Sequence, residues 1–273
     1  MNETNEIQLL AKSGLDPAFI SGEISKNLSL QPELFAFYET DSTNRRAREY
    51  HERGRRTPAI FVADGQTGGR GRLGRSFSSP HGAGVYMSML IYPGGELRDF
   101  TAVTTYTAVA VCRAIERVTG INADVKWVND VYYKGKKLGG ILTEGALSSD
   151  MSTAEYVIVG IGVNVLKSEL PPVVADVATS IEAITGDKVD RKRLISEIAI
   201  EFFSGLSDIS SKEILDEYKR RSYLVGREVT VHKLGASYSA KVLGIGDDAS
   251  LVLRLADGSV ENLITGEVSV RQK

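Results

Sequence analysis

The sequence predicts an α+β chain: a mixed β-sheet with helices packed on one side of it, followed by a small all-β barrel. Three observations carry this expectation. Strand-like and helix-like runs are interleaved as far as Tyr223. Beyond Tyr223 only short β-rich runs separated by turn signals remain, which is the pattern of a small barrel. With 273 residues, 42% hydrophobic and 25% charged, the chain can bury a sizeable core as one large unit, or as one medium and one small.

Residues 1–33 read as a short lead-in with no element assigned. Residues 33–38 are apolar and partly aromatic, which suits a strand. Asp41, Ser42 and Thr43 offer N-cap side chains for a helix over 44–53, and Gly54 can stop it. Residues 59–63 read as a buried strand, 65–75 as a loop and 85–92 as another strand. Residues 98–119 carry an apolar stripe through Val103, Tyr106, Ala110, Ala114 and Val118 before Gly120, which predicts a long helix. Short strand candidates follow at 125–127, 131–133, 140–143 and 156–161. Leu194, Ile198 and Phe202 recur at helical spacing, and 214–221 continue helically. The barrel strands are 229–231, 239–245, 251–255, 260–264 and 268–270, with turn signals at Asp247-Asp248 and Asp257-Gly258. The expected division is a lead-in at 1–33, a main domain at 34–223 and the barrel at 224–273.

Composition narrows the function. A net charge of −2 gives no global basic field for nucleic acid. The single cysteine, Cys112, rules out an intrachain disulfide framework and cysteine-rich zinc sites. It lies in an apolar helical pattern and reads as a small buried hydrophobe. His51, His81 and His232 show no metal-ligand spacing. The start of the chain has no basic flank followed by an apolar run, and the stretch 156–166 is too short and glycine-interrupted to span a bilayer. A cytoplasmic protein without membrane contact is the expectation.

Three segments could carry chemistry. Residues 65–75 hold five glycines and three arginines. Glycines let backbone amides approach a ligand closely, and arginines supply forked donors for phosphate or carboxylate. Read alone, the stretch fits a flexible surface loop with solvated arginines as well as a polyanion site. It also contains a GxGxxG match at 69–74, but the residues after it are not helical, so it is no dinucleotide fingerprint. No Walker A pattern occurs. The second segment is Lys126-Trp127-Val128-Asn129-Asp130 followed by Lys136-Lys137-Leu138-Gly139-Gly140-Ile141-Leu142. An Asn-Asp turn and a core tryptophan are structurally ordinary, yet Lys137 enters an apolar strand and could point into a pocket. The third is Gly160-Ile161-Gly162-Val163-Asn164, a strand ending in a polar amide.

Asp41-Ser42-Thr43-Asn44, the Gly-Arg-Gly-Arg-x-Gly-Arg loop, Lys-Trp-x-Asn-Asp, Lys-Leu-Gly-Gly-Ile-Leu and Gly-Ile-Gly-Val-Asn occur in one order. Together they resemble the catalytic domain of biotin–protein ligases over roughly residues 34–223. Residues 225–229 and 266–271 resemble that family's C-terminal barrel. The family commonly has proline where this chain has Val128. Its regulatory members carry an N-terminal winged helix-turn-helix module, for which the residues ahead of the match are too few, so DNA binding is not expected.

The resemblance implies a class II synthetase-like catalytic sheet and an SH3-like barrel. It implies that Ser42, Thr43, Asn44 and Gln66 contact biotin, and that Arg70, Gly71 and Arg72 form a loop closing over biotin and the adenylate. It implies that Lys137 meets the biotin carboxylate and the α-phosphate, that Phe77 stacks on adenine, that Asn129 and Asn164 contact the adenylate, and that Asp130 helps hold Mg2+. The catalytic set is then Lys137, Arg70 and Arg72. The implied substrates are ATP and biotin, the acceptor is a biotin carboxyl carrier domain, and a homodimer is compatible with the family. A lipoate–protein ligase shares the architecture, and a non-catalytic or DNA-regulatory biotin sensor is the rival of another class.

Overall fold

The structure, a computed structural model, describes residues 10, 13–93, 100–149, 153–166, 176–233 and 236–270. Seven strands form the main sheet: β1 (Glu33–Thr40), β2 (Ala59–Gln66), β3 (Gly84–Ile91), β4 (Asp124–Lys126), β5 (Asp130–Tyr133), β6 (Lys136–Leu147) and β7 (Ala154–Asn164). Their order is β1-β2-β3-β7-β6-β5-β4. β1 and β2 are parallel and every other neighbouring pair is antiparallel, so the sheet is mixed. A parallel pair needs a crossover. Helix α1 (Pro17–Asn27) precedes β1, and α2 (Thr43–Glu52) supplies the crossover to β2.

The alternation of side chains along β2 divides the core in two. Ile60 and Val62 point into the larger cluster with Met87, Met89, Val159 and Ile161. Ala59 and Phe61 point the other way, to Ala47 and Tyr50 of α2. Helix α3 (Phe100–Thr119) lies on the larger-cluster face, under α5 (Arg191–Ser204) and α6 (Lys212–Arg220). Sheet beneath and helices above explain why Val103 to Cys112 are buried all round rather than along one stripe. Cys112 is fully buried, and burial pushes its thiol up to about 12. It is a packing residue.

Three expectations are corrected. Helices cover both faces of the sheet, not one, because α2 packs opposite α3. The lead-in contains α1, which buries Ile20 and Ile24 and packs on α5; Asp16 Oδ1 accepts from Phe19 N at 3.0 Å, and Pro17 opens the helix. A short helix α4 (Ile181–Thr185), capped by Ser180 and ended by Gly186 at φ 79°, was not foreseen. Residues 98 and 99 of the expected long helix, and Arg271 of the C-terminal match, lie outside the described residues.

A second, antiparallel sheet follows: β8 (Glu228–Lys233), β9 (Ala236–Ile245), β10 (Leu251–Leu255), β11 (Val260–Leu263) and β12 (Glu267–Val270), in the order β11-β10-β9-β8-β12. Val229, Val231, Leu251 and Leu253 share one apolar cluster with Val125 of β4 and Trp127 in the turn that follows it. Trp127 Nε1 donates to the Ala249 carbonyl at 2.9 Å, and Lys219 pairs with Asp247 at 2.6 Å. Ser222 bridges to Val125, so the connection into β8 runs beside the edge strand β4.

Candidate active site

The cross-strand register builds the floor of a cavity on the α2 face of the sheet. Phe61, Ser88, Gly160 and Leu142 form one row; Ala63, Tyr86, Gly162, Gly140 and Asp130 form the next. Successive rows are two residues apart on each strand and therefore share a face. Glycines at the centre let other groups lie directly on the backbone. A Cβ at Gly160 would collide with the Asn44 amide, and one at Gly162 would lie 2.5 Å from the Phe77 ring. The floor, the head of α2 and the loop after β2 line a cavity of about 150 Å3 that is partly open to solvent.

Ser42, Thr43 and Asn44 line this cavity from the start of α2. Ser42 is the N-cap residue, but its side chain makes no capping bond. The local work is done by neighbours: Asp41 Oδ1 accepts from Ser42 N at 2.8 Å, and Gln66 Oε1 accepts from Thr43 N at 2.9 Å. Gln66 is fixed from its other end by donating to Ser79 Oγ at 3.0 Å. Ser88, wholly buried on β3, lies 2.7 Å from Thr43 Oγ1 and donates to Asn44 Oδ1 at 2.6 Å. The Asn44 amide nitrogen donates to Glu144 Oε2 at 2.7 Å.

The glycine–arginine segment is a folded excursion. It is closed by bridges between Gln66 and Ser79 and between Arg70 and Ser76, and Gly71 N donates to Arg75 O at 2.7 Å. Residues 73–76 at its tip are exposed. Arg70, Gly71, Arg72 and Phe77 all face the cavity. Arg70 Nη2 lies 3.7 Å from Glu144 Oε2, and Arg75 pairs with Glu267 of the second sheet at 2.6 Å. Arg72 differs: it donates to the neutral Asn129 Oδ1 at 3.0 Å and has no carboxylate partner among the described residues. Asn129 is oriented in turn by donating to Ile141 O at 2.7 Å. At the base of the excursion His81 lies between Asp64 and Glu39, at 3.1 and 2.9 Å.

Asp130 and Lys137 face each other across the β5–β6 hairpin, where a register shift between Val131 and Tyr132 displaces the two strands. Lys137 Nζ donates to Asp130 Oδ1 at 2.7 Å. The Lys137 backbone is pinned separately, with N donating to Val177 O and O accepting from Thr179 N, both at 2.8 Å. Behind Asp130, Lys126 sits over the Tyr132 ring at 5.3 Å, and burial pushes its ammonium below the ordinary lysine value. The Trp127–Val128 peptide is cis.

The structure therefore gathers Ser42, Thr43, Asn44, Gln66, Arg70, Gly71, Arg72, Phe77, Asn129, Asp130 and Lys137 around one cavity. Asn164 is not in its wall; it ends β7 and donates to Thr179 O at 3.0 Å. Ser88, Glu144, Arg75 and Glu267 were missed. Ser88 had a signal, a lone serine in an otherwise apolar and aromatic strand. Glu144 shares a face with Gly140 and Leu142, which alternation alone could have shown. Arg75–Glu267 had none, because nothing local pairs residues so far apart.

The cavity joins cations, amides and hydroxyls to an apolar floor, which suits an anionic ligand with a polar head. Among the described residues there is no cluster of three or more His, Cys, Asp or Glu side chains that could hold a metal. A cation there would have to arrive with a ligand's own oxygens, as Mg2+ commonly does.

Comparison with known proteins gives the same direction. The profile described as the Biotin/lipoate A/B protein ligase family matches residues 36–164. The chain is 34% identical over 225 residues to the bifunctional ligase/repressor BirA of Bacillus subtilis, covering 80% of this chain and 68% of that protein. It is 30% identical over 225 residues to the biotin–[acetyl-CoA-carboxylase] ligase of Paracoccus denitrificans, covering 79% and 91%. Among solved structures, the biotin protein ligase of Aquifex aeolicus in complex with biotin and ATP superposes with a TM-score of 0.76 at 31% identity, covering 88% of this chain and 99% of that one.

Proposed function

The chain belongs to the Biotin/lipoate A/B protein ligase family, and on that premise we propose how its cavity joins biotin to a protein lysine. The chain is an ATP-dependent biotin–protein ligase. The observation that carries the reading is the meeting of Lys137, Arg70 and Arg72 with Ser42, Thr43 and Asn44 in one cavity.

In the first step a biotin carboxylate oxygen attacks the α-phosphorus of ATP and the bond to the β-phosphate oxygen breaks, giving biotinyl-5′-AMP and pyrophosphate. Two anions must meet, so cations fixed in advance are the main contribution the protein can make. Lys137, held by Asp130, neutralises the carboxylate and the α-phosphate. Arg70 and Arg72 add charge from the loop, and Gly71 keeps the backbone between them clear of side chain. Ser42, Thr43, Asn44 and Gln66 hold biotin, Phe77 lies against adenine, and Asn129 orients Arg72. Mg2+ bound with the triphosphate would further withdraw charge from the phosphates, and Asp130 is the carboxylate suited to hold it.

In the second step the deprotonated ε-amine of an acceptor lysine attacks the biotinyl carbonyl, the amide forms and AMP leaves. The adenylate hydrolyses in water, so closure of the loop over it protects the intermediate. The acceptor in this reading is a biotin carboxyl carrier domain. The same reading includes a class II synthetase-like main sheet and an SH3-like terminal barrel, supported by the mixed seven-stranded and antiparallel five-stranded sheets. No helix among the described residues is long and apolar enough to cross a membrane.

The test is biotin-dependent exchange of labelled pyrophosphate into ATP. Exchange with biotin and none with lipoate supports the reading; exchange with lipoate alone, or with neither, overturns it.

A further inference from the structure

We infer that Glu144 is a positioning residue for biotin, setting the direction of the hydrogen-bond chain through Asn44, Ser88 and Thr43. The inference rests on the biotin-ligase reading and deepens it. Glu144 sits on β6, on the same face as Gly140 and Leu142. Its carboxylate is shared three ways: Oε1 lies 3.1 Å from Arg48 Nη2, and Oε2 accepts from Asn44 Nδ2 at 2.7 Å and lies 3.7 Å from Arg70 Nη2. One side chain thus joins the middle of α2, its first turn and the loop.

The direction follows from donor and acceptor counting. An ionised carboxylate only accepts, so Asn44 must turn its NH2 to Glu144 and its oxygen to Ser88. Ser88 Oγ lies 2.6 Å from that oxygen and 2.7 Å from Thr43 Oγ1, and it has a single hydrogen. With that hydrogen committed to Asn44, the Thr43 hydroxyl has two acceptors in reach, Ser88 Oγ at 2.7 Å and Gln66 Oε1 at 3.2 Å, and it donates to the nearer one, Ser88. The run then reads Thr43 to Ser88 to Asn44 to Glu144, with every donor pointing at the carboxylate. Biotin's cyclic urea has one carbonyl acceptor flanked by two N–H donors, so it is sensitive to which wall atoms offer hydrogens and which offer lone pairs.

Substituting Glu144→Gln would reverse this order. Arg48 demands an acceptor and takes the new amide oxygen. The new NH2 then faces Asn44, which must flip, and the hydroxyls follow. The double variant Asn44→Asp with Glu144→Gln keeps the charge and the atom count. Its aspartate accepts from both the glutamine and Ser88, which restores the original direction.

The experiment is calorimetric titration of biotin, without ATP, into the full-length wild type, Glu144→Gln and the double variant, with the KM for ATP and the thermal midpoint measured alongside. Glu144→Gln is expected to weaken biotin roughly ten- to a hundredfold, the worth of a charge-assisted hydrogen bond. It should move the KM for ATP by less than about threefold, since the lost contact serves one substrate. The double variant also alters Asn44, which itself holds biotin, so it should recover part of the affinity that Glu144→Gln loses. Unchanged biotin affinity in Glu144→Gln, equal losses for both substrates, or a double variant no better than the single one overturns the inference. Should Glu144→Gln not fold, Ser88→Ala decides, because it interrupts the same chain between Thr43 and Asn44 without altering a side chain that holds biotin: weakened biotin affinity supports the inference and unchanged affinity overturns it. Failure of the wild type itself to bind biotin would instead overturn the functional reading.

Discussion

Lys137 Nζ lies 2.7 Å from Asp130 Oδ1, and the backbone of Lys137 is held at both N and O by residues 177–179. The lysine is thus fixed at root and tip before any ligand arrives, and a preorganised charge costs no rearrangement during reaction. Lys137→Ala is expected to slow adenylate formation by about 10²–10³ while leaving the fold intact. Single-turnover release of pyrophosphate measures this, and a near wild-type rate would remove Lys137 from the chemistry.

Arg72 is the loop cation that pairs with an amide rather than a carboxylate. Its charge is therefore available to a ligand, and its bond to Asn129 draws the exposed tip over the cavity. Arg72→Gly is expected to let the adenylate escape, so that lysines of unrelated proteins become biotinylated in proportion to their exposure. Mass spectrometry of labelled lysines in a mixture of acceptors and bystander proteins reads this directly. Unaltered selectivity would mean that Arg72 does not retain the intermediate.

Phe77 rests on the bare backbone of Gly162, where a Cβ would come within 2.5 Å of the ring. Gly162→Ala should displace the ring and raise the KM for ATP roughly tenfold, with biotin affinity changed far less. Equal changes for both substrates would show that the ring does not serve adenine alone.

His81 supports a pH prediction. It faces Asp64 from β2, Glu39 and the stacked Tyr38 ring from β1, and Arg191 of α5 behind Asp64. Burial alone would lower its pKa, but the bonds to Glu39 and Asp64 outweigh burial and raise it above 6.5. A raised folded-state value means that the stabilisation is complete below the unfolded value and disappears as pH rises through the folded one. The unfolding midpoint of the wild type should therefore exceed that of His81→Gln most at low pH. The gap should shrink as pH rises above the ordinary histidine value of about 6.5 and through the raised one. A gap that is flat or widens with pH would contradict the assignment.

The sequence revealed the site better than it revealed the frame around it. Ser42, Gln66, Arg70, Asn129 and Lys137 were marked by the family resemblance, which rests on several short local motifs, and all five line the cavity. Chain-distant pairs such as Arg75 with Glu267, and Trp127 with Ala249, carry no local signal and emerge only when the two sheets meet. Asn164 shows the opposite limit. It belongs to a matching motif, yet its amide is turned to Thr179. Helix α1 was overlooked, although Asp16-Pro17 and the Ile20, Ile24 spacing mark a capped helix with one apolar face. The second face of the sheet was missed because α2 is strongly polar and buries little beyond Ala47 and Tyr50 among its apolar side chains.

The most direct measurement is the intact mass of a purified biotin carboxyl carrier domain after incubation with the full chain, biotin and Mg2+-ATP. The expected result is the gain of a single biotinyl group, dependent on both ATP and biotin and lost when the acceptor lysine is replaced. No gain in mass, with a known ligase active on the same acceptor, would contradict it.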